Sequence, residues 1–350
     1  MVDMETIGAG GGSIAYVDTG GMLQVGPRSA GADPGPACYG RGGLDATVSD
    51  ANVVLGRLQS DSTLAGDLKL SLERAQASLE PLAQRIGLSI EETALGIIDI
   101  ANEHMAKAIR LISVNKGHDA KDFILASFGG AGGLHVCALA DAMAMKNALV
   151  PVHGGVLSAL GMVVADQGRQ FSKTLSLDAQ PIDETSLEDQ FAQLEQGGME
   201  QLALEGLHSS MLVSKRSADL RYEGQSYTLN IDWHALAGVL DAFERLHEQR
   251  YGYSHDAPIE LLTIRVNLST EKAPFALPQL ITQAHGNNIR HCKVYGETEQ
   301  ARLLARADMY SGESIEGPAV ITEYSATTFV ATNWSVAVDG FGNLLLQKKS

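Results

Sequence analysis

The chain has 350 residues, 45% of them hydrophobic and 19% charged, which is enough apolar length for two or three domains with substantial cores. A formal net charge of −16, with no basic stripe along the sequence, excludes the electrostatics of a nucleic-acid binder and favours solubility. Three cysteines, Cys38, Cys137 and Cys292, lie too far apart for a C-x-x-C metal or redox motif or a disulfide framework.

The chain opens without a basic and apolar leader, and no apolar run is long enough to cross a membrane, so a soluble, cytoplasmic protein is expected. Many of the 37 glycines fall before Gly43, which marks a tightly turning or functional loop rather than general flexibility. Ile14–Val17 and Met22–Val25 flank Asp18-Thr19-Gly20-Gly21 and predict a β-hairpin. Pro27–Gly43 is too rich in Gly and Pro for a helix or central strand and reads as a loop wrapped close to a ligand or another backbone.

Leu68, Leu72, Ala75, Leu79, Leu82 and Ile86 recur at helical spacing. Ser89 with Glu92 is a capping-box pattern that opens a helix carrying Ala94, Ile97, Ile98, Ala101, Met105, Ala108 and Ile109 on one face, ended by Gly117. Phe123–Phe128 is a short apolar run that breaks into Gly129–Gly133. Leu134–Met145 is again helical, Ala148–Val152 reads as a buried strand, and Val156–Ala165 as a small-residue helix. Thr185 with Glu188 predicts the cap of a helix running to about Gly206. Lys215–Tyr222 and Ser226–Ile231 alternate as strands around Glu223-Gly224, followed by a helix over Ala235–Arg250 and a strand over Ile259–Leu268. Ala273–Pro278 reads as a linker, and Asn288–Lys349 as short strands with Gly and Asn turns.

Phe123–His135 (FILASFGGAGGLH) carries the strongest local signal, a strand whose glycines open a helix. Such a junction lets a flat ring or a phosphate approach the backbone and offers free N–H donors; tight strand–helix packing without a ligand is the alternative. It is neither a Walker loop nor G-x-G-x-x-G. Asp50 follows the glycine loop, where a carboxylate can bind Mg²⁺, orient a water or a substrate amide, or N-cap a helix beginning at Ala51. His135 sits in a first helical turn, where structural roles predominate. His247-Glu248 fails the H-E-x-x-H pattern at Tyr251, and Cys38 has no evident base beside it.

Thr6–Asp18 (TIGAGGGSIAYVD), Val25–Gly43 (VGPRSAGADPGPACYGRGG), Thr47–Leu58 (TVSDANVVLGRL) and Ser127–His135 (SFGGAGGLH) together resemble the hydantoinase A/oxoprolinase family. Asp219–Ile231, His247–Tyr253 and Gly317–Val330 resemble its C-terminal part, so the likeness covers almost the whole chain in order. The resemblance implies an α/β fold with three parts: an incomplete actin-like, sugar-kinase-like ATPase lobe over residues 1–170, an α+β segment over 171–270, and a small C-terminal β domain over 283–350. It implies ATP and Mg²⁺ as cofactors, with Phe128, Gly129, Gly130, Ala131 and Gly132 as the adenosine-contacting turn. Asp50 is then the candidate catalytic residue. Proline is common in the family where this chain has Gly133, which is expected to loosen the turn.

Implied function is ATP-dependent hydrolysis of a cyclic amide of the 5-oxoproline or hydantoin type. Phosphorylation would make a resonance-stabilised amide carbon electrophilic, with charge on the phosphoryl group stabilised by Mg²⁺ and N–H donors. Alternatives are the ATP-using subunit of an acetone- or acetophenone-type carboxylase, and a non-catalytic interaction remnant. Family members carry an Asp-Gly-Gly-Thr phosphate loop and a second Gly-Gly-Thr-Ser-type loop upstream of the segment matching Thr6–Ser13, and neither occurs here. The chain is therefore expected to be a C-terminal portion that needs an N-terminal lobe and a hydantoinase B-like subunit or domain, and to show no ATPase alone.

Overall fold

In the computed structural model the hairpin expected after the first glycines is the antiparallel pair Ser13–Val17 and Leu23–Ser29, with Ala15 opposite Val25. Its turn is held by Asp18, whose Oδ1 accepts from the N–H groups of Gly20 and Met22 at 2.9 Å each. The structure describes residues 4–60, 63–64, 66, 68–115, 117–175, 183–271, 275–279 and 289–349. They form a mixed α/β structure with several sheets that divides into two units, Met1–Leu160 with Leu277–Ser350, and Gly161–Ala276.

Three helices cover the hairpin in the first unit: Val48–Val54, Leu72–Ile86 and Ile90–Asn115. Val48, Ala51, Leu79, Ala94, Ile97, Ile98 and Ala101 meet Ala15 and Val25 in one core, as the three- and four-residue spacing requires. The second helix is shorter than its periodicity suggests. Ser71 caps it through Arg74 N–H, and Leu68 lies instead in the short strand Leu68–Lys69. The Ser89–Glu92 box forms as expected: Glu92 accepts from Ser89 N–H at 2.8 Å and donates its own N–H to Ser89 Oγ at 3.1 Å.

A five-stranded sheet runs in the order Ser314–Glu316, Trp334–Val338, Leu344–Lys348, Asn147–Val150, Leu125–Ala126. The stretch 283–350, expected as a separate β domain and lying partly outside the described residues, instead gives three of its strands to a sheet begun near residue 125. Leu344 pairs with Val150 and Leu346 with Ala148, and Leu125–Ala126 runs parallel to Ala148–Leu149. A second sheet comprises Arg290–Cys292, Ala301–Ala305, Ala319–Thr322 and Thr327–Val330. The helix Gly132–Ala142 contributes Val136 and Ala140 to a core with Val150, Ile321, Leu344 and the fully buried Trp334.

The unit Gly161–Ala276 is a four-stranded antiparallel sheet, in the order Gly168–Thr174, Ile259–Thr270, Leu212–Tyr222, Leu229–Asp232, sharing one core with the helices Glu184–Leu204 and Leu236–Tyr251. Strand alternation is regular, with Ile264, Val266 and Leu268 all buried. The first helix is capped by Asp183 through the N–H groups of Thr185 and Ser186, so Thr185 is not the cap its sequence pattern suggested. Of the expected linker Ala273–Pro278, residues 273–274 lie outside the described residues, and 275–278 form neither helix nor strand. Among the described residues no helix is long and apolar enough to cross a membrane.

Candidate functional site

The glycine elbow begins where the strand Leu125–Ala126 ends and Ser127 N–H donates to Leu149 O at 2.8 Å. Gly129 turns the chain at φ +90°, which a side chain would resist, and its N–H donates to Gly154 O at 2.8 Å. Ala131 is the N-cap of the helix Gly132–Ala142 and brings no side-chain acceptor to it. The first-turn N–H groups therefore lack the usual side-chain cap and present a partial positive charge.

Gly133 does not loosen this turn. It is buried in the helix, and a Cβ there would meet Thr328 Oγ1 at 2.6 Å and Thr327 O at 2.7 Å. Glycine lets the helix lie directly on the strand Thr327–Val330, so the elbow is closely packed on that side.

Two cavities of about 290 Å³ flank the elbow. The first is lined by Ser127, Phe128, Gly132 and His135 together with apolar side chains that include Met105, Ile109 and Leu139. The second lies against Gly130 and Ala131 and reaches Gly11, Gly12, Tyr39 and Asn52, which joins the first glycine run, the Pro27–Gly43 loop and the elbow at one place. A larger cavity of about 560 Å³ is lined by His153, Arg306, Glu323, Tyr324 and Ser325, with Arg306 ion-paired to Glu323 at its wall. Of the expected adenosine-contacting residues, Phe128 and Gly132 line the first cavity and Gly130 and Ala131 the second, while Gly129 shapes the turn between them.

Asp50 has a different place from the one its sequence context suggested. It is fully buried, and the N-cap is Thr47, with Asp50 the third helical residue of a capping box. Its Oδ1 accepts from Cys38 N–H at 2.7 Å. Its Oδ2 accepts from Thr47 N–H at 2.9 Å, Thr47 Oγ1 at 2.7 Å and Ala37 N–H at 3.3 Å. With four donors on two enclosed oxygens, Asp50 is turned inward and lines neither cavity at the elbow. It ties the turn Ala37–Tyr39 to the helix Val48–Val54, and so positions the wall of the second cavity. The neighbouring Cys38 is fully buried; burial, with the Asp50 charge beside it, pushes its thiol well above the ordinary range and away from nucleophilic use.

His135 is also buried, and its Nδ1 lies 2.7 Å from Asn102 Oδ1 on the helix Ile90–Asn115. Burial, helped by the Arg57 charge, lowers its pKa to about 4, so the ring is neutral at pH 7. Asn102 had no signal in the sequence, being 33 residues from its partner. Asn52 lines the second cavity while its Oδ1 is buried without a partner; its Nδ2 donates to Val48 O at 2.9 Å. His247, in the unit Gly161–Ala276, is structural: Nδ1 lies 3.0 Å from Tyr253 O and Nε2 3.1 Å from Gln225 Nε2. Among the described residues no three His, Cys, Asp or Glu side chains are grouped so as to hold a metal ion, so these residues offer Mg²⁺ no protein cage.

The family model for hydantoinase/oxoprolinase matches residues 1–170. The caprolactamase subunit alpha of Pseudomonas jessenii is 34% identical over 97% of this chain and 51% of its own length, and the 5-oxoprolinase of Saccharomyces cerevisiae is 31% identical over 95% of this chain and 28% of its own. The solved ATP-dependent caprolactamase from Pseudomonas jessenii superposes with a TM-score of 0.80 at 32% identity, covering all of this chain and 53% of that one. A nucleotide-free acetone carboxylase superposes with a TM-score of 0.78, over 97% of this chain and 52% of that one; at 23% identity it is a likeness of fold. The chain thus spans about half the length of the caprolactamase subunit and less of the 5-oxoprolinase.

Proposed function

The chain belongs through residues 1–170 to the hydantoinase/oxoprolinase family, and on that premise we propose that it takes part in ATP-dependent ring opening of a cyclic amide. The nucleotide reading is carried by one observation: a helix N-terminus without a side-chain cap, at a closely packed glycine elbow, stands between two cavities of about 290 Å³. Residues 1–170 would be this chain's share of an actin-like ATPase lobe, and Phe128, Gly129, Gly130, Ala131 and Gly132 its adenosine turn. The apolar cavity beside Phe128 suits a flat base, and the first-turn N–H groups suit an anionic tail.

ATP, when bound, would supply the phosphoryl group that makes an unstrained amide carbonyl open to attack. The chain's own contribution is to bind and to orient. Asp50 fixes the glycine loop from within, and Gly11, Gly12 and Ala131 bring backbone close to whatever occupies the second cavity. The relatives named as ATP-dependent caprolactamase and 5-oxoprolinase support a cyclic amide as substrate class, and the alpha-subunit name of one supports a companion subunit, which in this reading is of hydantoinase B type.

The test is a coupled assay of the complete protein with its companion subunit, MgATP, and 5-oxoproline, hydantoin or caprolactam in turn. ADP and the ring-opened acid are expected to appear together in equal amounts with one of these rings. Ring opening without ADP, or ADP formation that responds only to acetone and bicarbonate, contradicts the reading.

A further inference from the structure

We propose that His135 selects the nucleotide base, its Nε2 accepting the 6-amino group of adenine in the cavity beside Phe128, so that the site takes ATP in preference to GTP. This rests on the nucleotide reading of the elbow and adds to it the atom that recognises the base.

The cavity walls are mostly apolar, built from Met105, Ile109, Ile112, Leu125, Phe128 and Leu139, which suits the faces of a purine. Few polar groups line such a slot, so each has a large say in orientation and identity. His135 is one of them, and it is only 3% exposed. Asn102 fixes which of its nitrogens can do the recognising. With Asn102 Oδ1 2.7 Å from Nδ1, the imidazole carries its proton on Nδ1, and Nε2 is left as a lone-pair acceptor. Asn102 does not line the cavity, so it acts from behind the ring. No hydrogen bond of Nε2 to another described residue is present, and the low pKa keeps the ring neutral at pH 7.

Purines differ at the position such an acceptor would read. Adenine presents an amine there, a donor that completes the pair; guanine presents a carbonyl, which would set two acceptors against each other. A site built to receive a donor rejects the analogue lacking it, because the buried acceptor is left unpaired.

Displacement of a fluorescent mant-ATP probe by ATP and by GTP measures the preference directly, on the same complete protein. The wild-type protein is expected to favour ATP by at least about tenfold, the worth of one buried hydrogen bond. His135→Leu should bring the ratio to about one by weakening ATP. Asn102→Asp keeps the volume but holds His135 as imidazolium, turning Nε2 into a donor, and should shift the preference towards GTP. Thermal melts of both variants separate this from misfolding, and either variant that folds suffices. An unchanged ratio in a folded variant overturns the role of His135 and leaves the nucleotide reading standing. A wild-type protein that binds neither nucleotide overturns the reading and the inference with it.

Discussion

The sheet unit and the surroundings of the elbow treat their polar groups differently. Among the described residues of Gly161–Ala276 the buried and half-buried charges are paired. Arg216 bridges Glu188 and Glu195 at 2.6 Å each, Arg221 meets Glu260 at 2.7 Å, Arg265 meets Asp219 at 2.5 Å, and His247 has a partner at both ring nitrogens. Tyr222, whose buried hydroxyl lacks a partner, is the exception. Around the elbow, Asn52 Oδ1, Arg57 Nε and Thr328 Oγ1 are buried without partners. A buried polar atom left unpaired costs about 1–3 kcal/mol, and of these three residues Asn52 also lines the second cavity. The sheet unit pairs its charges, whereas the elbow region carries unpaired polar atoms at a cost in stability.

The contrast can be broken at Asp50, where the largest effect is expected. Although it lies beside the second cavity, its carboxylate is as fully satisfied as anything in the sheet unit. Asp50→Ala strands four buried donors and should lower stability by on the order of 5 kcal/mol, read by urea denaturation. A catalytic role would give the other result, a folded protein of near-normal stability with its turnover lost. A smaller effect of opposite sign is expected at Thr328. Thr328→Val removes an unpaired buried hydroxyl with little change of shape and should raise stability by about 1 kcal/mol in the same measurement. A loss of that size would mean that Thr328 Oγ1 is satisfied in solution and that the contrast is overdrawn.

Much of this was legible where the signal is local. Asp18-Thr19-Gly20-Gly21 specified the hairpin, Ser89 with Glu92 specified the start of the longest helix, and the glycines after Phe128 marked the strand–helix turn. Long-range pairings left no such trace. Strand Leu344–Lys348 finds Asn147–Val150 across nearly 200 residues, and a set of short strands with turns reads the same whether it closes on itself or completes another sheet. The partners that define the roles of Asp50 and His135 are likewise remote, Asp50 accepting from Ala37 and Cys38 and His135 resting on Asn102. Two caps were misplaced by a few residues for a shared reason. Thr47 and Asp50, like Asp183 and Thr185, are both good capping types within one turn, and only geometry chooses between them.

Amide hydrogen exchange of the complete protein, with and without MgATP, tests most directly whether the elbow is where nucleotide rests. Slowed exchange is expected over residues 127–135 and over 102–112 on the facing helix, with the unit 161–276 little changed. Nucleotide that binds and protects other segments, while 127–135 exchange as before, would contradict the assignment.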